Sequence, residues 1–134
     1  MKISIMARTK DKENGLKTRI IICDDDGDMV SLISRSLIKN DYAVDEITQM
    51  DDFMDKVLAF DPDMILMDIS MPDINGVDAT KMLYENESTS HIPVIFMLAN
   101  PDIEKFATQL NKLYIKKPFE IDKLQAILNV YSIG

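Results

Sequence analysis

Asp24, Asp25 and Asp68 are the side chains best placed to do chemistry. Asp24 and Asp25 directly follow the short β-branched run Arg19 to Cys23, and Asp68 closes the apolar run Met64 to Met67, 44 positions beyond Asp24. If both runs are strands of one sheet, the three carboxylates meet at one rim. Like charges this close raise one another's pKa and oppose folding, and a hard divalent cation with oxygen ligands removes the conflict. Mg²⁺ is the natural guest, with Mn²⁺ as its substitute. It retains waters and leaves a coordination position for a phosphate, so the cluster points to phosphoryl chemistry. Lys117, after the run Leu113 to Ile115, supplies positive charge toward that phosphate. Asp68 can attack as the nucleophile without a general base, because a carboxylate is already ionised at neutral pH. The lone histidine, His91, falls in the polar stretch ENESTSH and is read as a loop residue.

The elements that must position these groups alternate along the chain. Arg19 to Cys23 reads as a strand, and Met29 to Ile38 as a helix through Met29, Val30, Leu32, Ile33, Leu37 and Ile38. Tyr42 to Ile47 is a weaker edge strand, followed by a helical face of Phe53, Met54, Val57 and Leu58. Pro62 separates this helix from Met64 to Met67, an apolar run expected of a strand covered on both faces. Val77, Met82 and Leu83 mark a third helix, and Ile92 to Ala99 a fourth buried strand. Pro101 suits the first turn of a helix whose inner face carries Ile103, Phe106 and Leu110. Leu113 to Ile115 is the fifth strand, and Leu124, Ile127 and Leu128 mark the last helix. Alternating strands and helices predict an α/β fold, a doubly wound five-stranded parallel sheet with helices on both faces and its site at the carboxyl ends of the strands. Met54, Met64, Met67 and Met82 are expected to point inward as core filler.

Length and composition narrow the alternatives. A chain of 134 residues holds one ordinary domain. Apolar residues at 46% are too many for a disordered chain. Residues 1–19 carry six basic side chains against two acidic, so the remainder stands at −12 within a net charge of −8, and a phosphate backbone would be repelled. Nucleic-acid binding by this domain is therefore not expected. The longest apolar stretch, Val94 to Ala99, falls far short of the roughly 20 residues of a membrane span. Residues 1–17 are read as a mobile basic arm and 18–134 as the folded domain. A single cysteine, Cys23, cannot form an internal disulfide, and a reducing, cytoplasmic setting is expected. Cys23 is read as a small buried apolar residue whose thiol pKa is raised by the neighbouring acids. Asp26 and Asp28 are placed in the first turn of a helix, where they complement its dipole.

Taken together, RIIICDDD, MILMDISMPDINGVDA and YIKKPF resemble the receiver domain of two-component response regulators, the CheY-like family, over about residues 18–131. The acid pair, the D-x-x-M-P-x-x-x-G stretch and K-P-F carry the resemblance jointly. It implies the flavodoxin-like strand order 2-1-3-4-5 and a phosphoryl group accepted on Asp68 from a histidine kinase or a histidine phosphotransfer protein. It also implies a metal held by Asp24, Asp25, Asp68 and the backbone carbonyl of Ser70. Lys117 would contact the phosphate, and Pro118 would match the family's cis-proline. Gly76 would close the loop after the phosphorylated residue, where a residue without Cβ can take φ > 0. Such a domain is no enzyme beyond its own phosphorylation and hydrolysis. It signals through a downstream protein or a covalently linked output domain, and homodimerisation is compatible with it. The predicted fourth helix, fifth strand and last helix form the expected partner face, with Ile103, Phe106, Tyr114 and Lys116 on it.

The match fails at one position. The fourth strand of a receiver usually ends in Ser or Thr followed by a small residue, and here the pair is Leu98-Ala99. Leu98 has no hydroxyl to bond a phosphoryl oxygen, so Tyr114, at the family's mobile aromatic position, is expected to stay outward or move little. A pseudo-receiver, an interaction module with a weak or absent phosphorylation switch, is the first rival. A Mg²⁺-dependent phosphatase of the haloacid dehalogenase type is the second. That chemistry needs another Asp two residues after the nucleophile, where this chain has Ser70.

Overall fold

A computed structural model describes residues 17–69, 76–98, 113–117 and 119–133. Its elements follow the alternation read from the sequence: β1 (Arg19–Cys23), α1 (Gly27–Lys39), β2 (Ala43–Ile47), α2 (Phe53–Phe60), β3 (Met64–Asp68), α3 (Gly76–Glu85), β4 (Val94–Leu98), β5 (Leu113–Lys116) and α4 (Ile121–Ile133). The strands form one parallel sheet in the order β2-β1-β3-β4-β5. Residues 1–16, 70–75, 99–112, 118 and 134 lie outside the described residues. The expectations placed on the arm, Ser70, Ala99, Pro101, Ile103, Phe106, Leu110 and Pro118 fall there.

Strand alternation divides the core and aims the site. Successive strand residues point to opposite faces. Ile21, Cys23, Ile65, Met67, Phe96 and Leu98 pack with Phe53 and Val57 of α2 and with Ala79 and Leu83 of α3. Ile20, Ile22, Leu66, Ile95, Met97 and Ile115 pack with Val30, Ile33 and Leu37 of α1 and with Leu124 of α4. Burying each such aliphatic side chain contributes roughly 1.5–3 kcal/mol, so register is strongly specified on both faces. Asp24 stands two residues beyond Ile22, Asp68 two beyond Leu66 and Lys117 two beyond Ile115. All three continue the α1/α4 phase at the sheet's carboxyl edge. At the opposite end Arg19 and Asp63 exchange hydrogen bonds, and the Arg19 guanidinium lies 4.1 Å from the centre of the Phe60 ring.

Several expectations need correction. Met64 and Met67 are buried and Met54 is half-buried, but Met82 is 48% exposed; the inward side of α3 is made by Ala79, Thr80 and Leu83. Leu32, Ile38 and Leu58 are also exposed, because each helix rests on the sheet along a stripe narrower than its set of apolar residues. β4 begins at Val94, two residues later than read, although Ile92 is buried. Tyr42 precedes β2 and is buried against the α1 core, its amide donating to the Leu37 carbonyl in the turn that Asp41 makes at φ 73°. Asp26 is the residue before the first turn of α1, where its carboxylate accepts the Met29 N–H at 3.2 Å; Asp28 lies in the first turn as read.

Candidate functional site

At the end of β1 the Asp24 amide donates to the Ile47 carbonyl, which carries the β1–β2 ladder one residue further. Its side chain then turns under the start of α1, where Oδ1 accepts the Asp26 N–H at 3.0 Å. Asp25 points to solvent. Asp68 is the last residue of β3 and buried, with its backbone in register with Met97 of β4. One carboxylate oxygen from each of Asp24, Asp25 and Asp68 lies within 4.8 Å of the others, the one such cluster among the described residues. An all-oxygen, all-anionic donor set of this size fits a hard dication such as Mg²⁺.

Lys117 closes the cluster from the far side of the sheet. Its amide donates to the Leu98 carbonyl at 2.7 Å, which fixes where its side chain starts. Its Nζ donates to Asp24 Oδ2 at 2.6 Å and lies 3.6 Å from Asp68 Oδ2. The Lys117 side chain is only 10% exposed, and those of Asp24 and Asp68 are 1% and 4% exposed. Burial pushes the Asp24 carboxyl above its usual range, helped by the negative charge of Asp68 and opposed by the hydrogen bonds from Lys117 and Asp26. Burial works against the Lys117 charge, but the hydrogen bond to Asp24 and the charges of Asp68 and Asp24 outweigh it and hold the ammonium above the ordinary lysine value. Three carboxylates thus face one ammonium, which is the charge imbalance a dication would cancel.

Gly76 opens α3 against the backbone of the acidic site. A Cβ there would lie 2.8 Å from the Asp68 carbonyl oxygen and 2.9 Å from the Ile69 Cα. Its φ lies outside the left-handed region, so the requirement for glycine is close approach and not the left-handed backbone expected from the sequence. Leu98 is 2% exposed and belongs to the α2/α3 core, on the opposite side chain phase from Asp68, and the half-buried Tyr114 packs against that core. Lys116 is exposed on the strand phase opposite to Lys117, and His91 is half-buried in the turn before β4. Cys23 is buried, and its thiol is pushed far up by that burial foremost, with Asp24 second. The rise from the neighbouring acid is the one expected from the sequence, and burial adds the larger part. The sequence reading missed the Asp26 amide as a support for Asp24, although an Asx residue two positions before the amide is the usual signal for such a bond.

Comparison with known proteins places this geometry in a family. The profile for the response regulator receiver domain matches residues 20–129. Response regulator ArlR of Staphylococcus haemolyticus (strain JCSC1435) is 31% identical over 112 residues, which are 81% of this chain and 50% of that protein. The chain therefore spans about half the length of the curated relatives it matches. The N-terminal domain of the nisin resistance regulator NsrR, a lantibiotic response regulator, superposes with a TM-score of 0.74 at 32% identity, covering 86% of this chain and 97% of that one. A response regulator structure from Chloroflexus aurantiacus J-10-fl gives a TM-score of 0.78 at 21% identity over 88% and 99% of the two chains, a likeness of fold. The chain belongs to the response regulator receiver domain family and has its CheY-like α/β fold. It is a receiver domain of the two-component kind. No helix among the described residues is long and apolar enough to cross a membrane.

Proposed function

We propose that this domain accepts a phosphoryl group on Asp68 from a phosphohistidine of a kinase or phosphotransfer protein. The observation that carries this reading is the convergence of Asp24, Asp25, Asp68 and Lys117 at one rim. An Asp68 carboxylate oxygen attacks phosphorus, the O–P bond forms as the donor's N–P bond breaks, and the imidazole nitrogen keeps the electron pair. Asp24, Asp25 and Asp68, with the Ser70 carbonyl, are the groups that would hold Mg²⁺ or Mn²⁺. When bound, the ion neutralises charge on the phosphoryl oxygens. Lys117 sits within reach of Asp68 and adds positive charge on the opposite side. Asp26 orients Asp24 through its amide, and Gly76 keeps a side chain off the Asp68 carbonyl.

Phosphotransfer from a radiolabelled phosphohistidine donor, followed by hydroxylamine, tests the reading. Label that enters the protein and is released by hydroxylamine is the expected acyl phosphate. Label that resists hydroxylamine would assign the phosphate to another residue type.

Leu98 favours a second reading. It offers no hydroxyl, and it is packed in the core with Tyr114 at its border. A hydrogen bond to a charged group contributes about 1.5–3 kcal/mol, whereas a tenfold population shift takes about 1.4 kcal/mol. Its loss is enough to weaken the switch tenfold or more. The domain would then act as a pseudo-receiver, an interaction module whose output depends little on phosphate. Output goes to a downstream protein or a covalently linked domain in either case.

A further inference from the structure

α1 carries Asp28, Leu32, Arg35 and Lys39 at the spacing of one helical face, and all four are exposed. Leu32 is the most exposed of the large apolar side chains among the described residues, at 61%. It also lines a groove of about 200 Å³ between α1 and the start of α4, whose other walls are Met29, Ile33, Ser36, Phe119 and Ile121. Ser36 is the one polar side chain of the six, so the groove lacks the convergent polar groups that would orient a small polar ligand.

The charges on this stripe are sorted by sign. Asp28 lies in the first turn of α1 and Lys39 in the last, with Arg35 one turn before Lys39. None of the three has an ion-pair partner among the described residues. α1 is also the one described helix with a basic residue in its last turn. Residues 20–134 hold nine basic side chains against 21 acidic, so two copies repel over most of their surface. α1, with two bases against one acid, is a face on which that repulsion is relieved. A two-fold axis across the middle of α1 lays a second copy antiparallel to the first and opposes the two helix dipoles. It sets Asp28 of each copy beside Lys39 of the other and brings each Leu32 to the mouth of the other copy's groove. The contact closes on itself, because the same stripe serves both chains.

We propose that this stripe and groove are a docking surface for a second copy of this chain, which forms a two-fold dimer through α1. The surface lies apart from the partner face expected from the family resemblance, and the inference does not depend on the phosphoryl-acceptor reading. One helical stripe is a small interface, so the dimer is weak and reversible, and salt loosens it by screening the Asp28–Lys39 contacts.

Sedimentation velocity of the 134-residue chain over a range of concentrations tests this. Wild type is expected to pass from monomer to dimer as concentration rises. Asp28→Lys or Lys39→Glu alone sets like charges together at both contacts and should weaken association about tenfold or more. An equimolar mixture of these two variants sets opposite charges together at both contacts and should regain the dimer, which a folding defect would not allow. Leu32→Ser, at an exposed position, should keep the fold and remain monomeric. A wild-type chain that stays monomeric up to its solubility limit leaves the groove to another partner and overturns the inference. A wild-type dimer that neither reversal weakens, or variants that fail to associate when mixed, overturns it as well.

Discussion

Gly27 and Gly76 each open a helix, α1 and α3, yet a methyl group at the two positions should have opposite effects. At Gly27 an added Cβ meets nothing within 4 Å, so Gly27→Ala restricts the unfolded chain at no steric expense and should stabilise by about 0.4–1 kcal/mol. At Gly76 the same atom falls 2.8 Å from the Asp68 carbonyl oxygen, 2.9 Å from Ile69 Cα and 3.0 Å from Ile69 Cγ2. Two of these are backbone atoms, which cannot rotate away as a flexible side chain would. Relief therefore requires a shift of α3 or of the peptide that carries Asp68. Overpacking of this sort costs about 1–3 kcal/mol, and the smaller gain in backbone entropy leaves a net loss of roughly 1–2 kcal/mol. At about 3–5 °C per kcal/mol for a chain of this length, Gly76→Ala should melt roughly 3–10 °C below wild type. Thermal unfolding followed by circular dichroism in EDTA measures both variants. Phosphorylation by a small-molecule donor should also slow in Gly76→Ala and not in Gly27→Ala. A Gly76→Ala domain as stable and as reactive as wild type would refute the claim that α3 presses on the phosphoryl acceptor's backbone.

Other consequences follow from the same geometry. Mg²⁺ at ten times its dissociation constant should stabilise the domain by about 1.4 kcal/mol, a rise of roughly 4–7 °C in melting temperature, and Asp24→Asn should lose most of that rise. Burial holds the Asp24 carboxyl above its unfolded value, so its contribution to metal-free stability is present below that value and disappears as pH rises through the folded one. The stability of Asp24→Asn relative to wild type should accordingly improve as pH rises above the ordinary carboxylate value of about 4 in urea titrations, and a flat difference would contradict the assignment. Cys23 should resist thiol reagents in the folded domain, because burial suppresses its thiolate; modification should track global unfolding in denaturant. Leu98→Thr should lose about 1–3 kcal/mol of core packing and restore motion of Tyr114. With a phosphoryl mimic such as beryllofluoride, the Tyr114 ring resonances should change in Leu98→Thr and barely in wild type, and a full inward swing of Tyr114 in wild type would refute the role given to Leu98.

Much of this arrangement was legible in the sequence because strand periodicity and strand ends carry it. Arg19 to Cys23 reads as a strand and Met64 to Met67 as a strand covered on both faces, and the acids at their ends mark one rim whatever the details of packing. The joint motifs then supplied the strand order. What stayed hidden depends on distances that pattern cannot express. Periodicity marks Met82 and Leu32 as apolar residues on helices, but only the width of the helix–sheet contact decides that they are exposed. Glycine at position 76 suggested an unusual φ, whereas the actual requirement is the Asp68 and Ile69 backbone, eight and seven residues earlier in the chain, pressing on its Cβ site. Lys117 was placed opposite the acids, but its contact with Asp24 1.0 Å closer than with Asp68 is a difference that residue spacing cannot express.

The central claim is that Asp68 becomes phosphorylated in a metal-dependent reaction within this cluster. Intact-mass analysis after brief incubation with Mg²⁺ and a small phosphodonor tests it most directly, with Asp68→Asn and an EDTA-treated sample alongside. One added phosphoryl mass on wild type, absent from both controls, is the expected result. An adduct that persists in Asp68→Asn, or a wild-type domain that stays unmodified under conditions that phosphorylate another receiver domain, would contradict it.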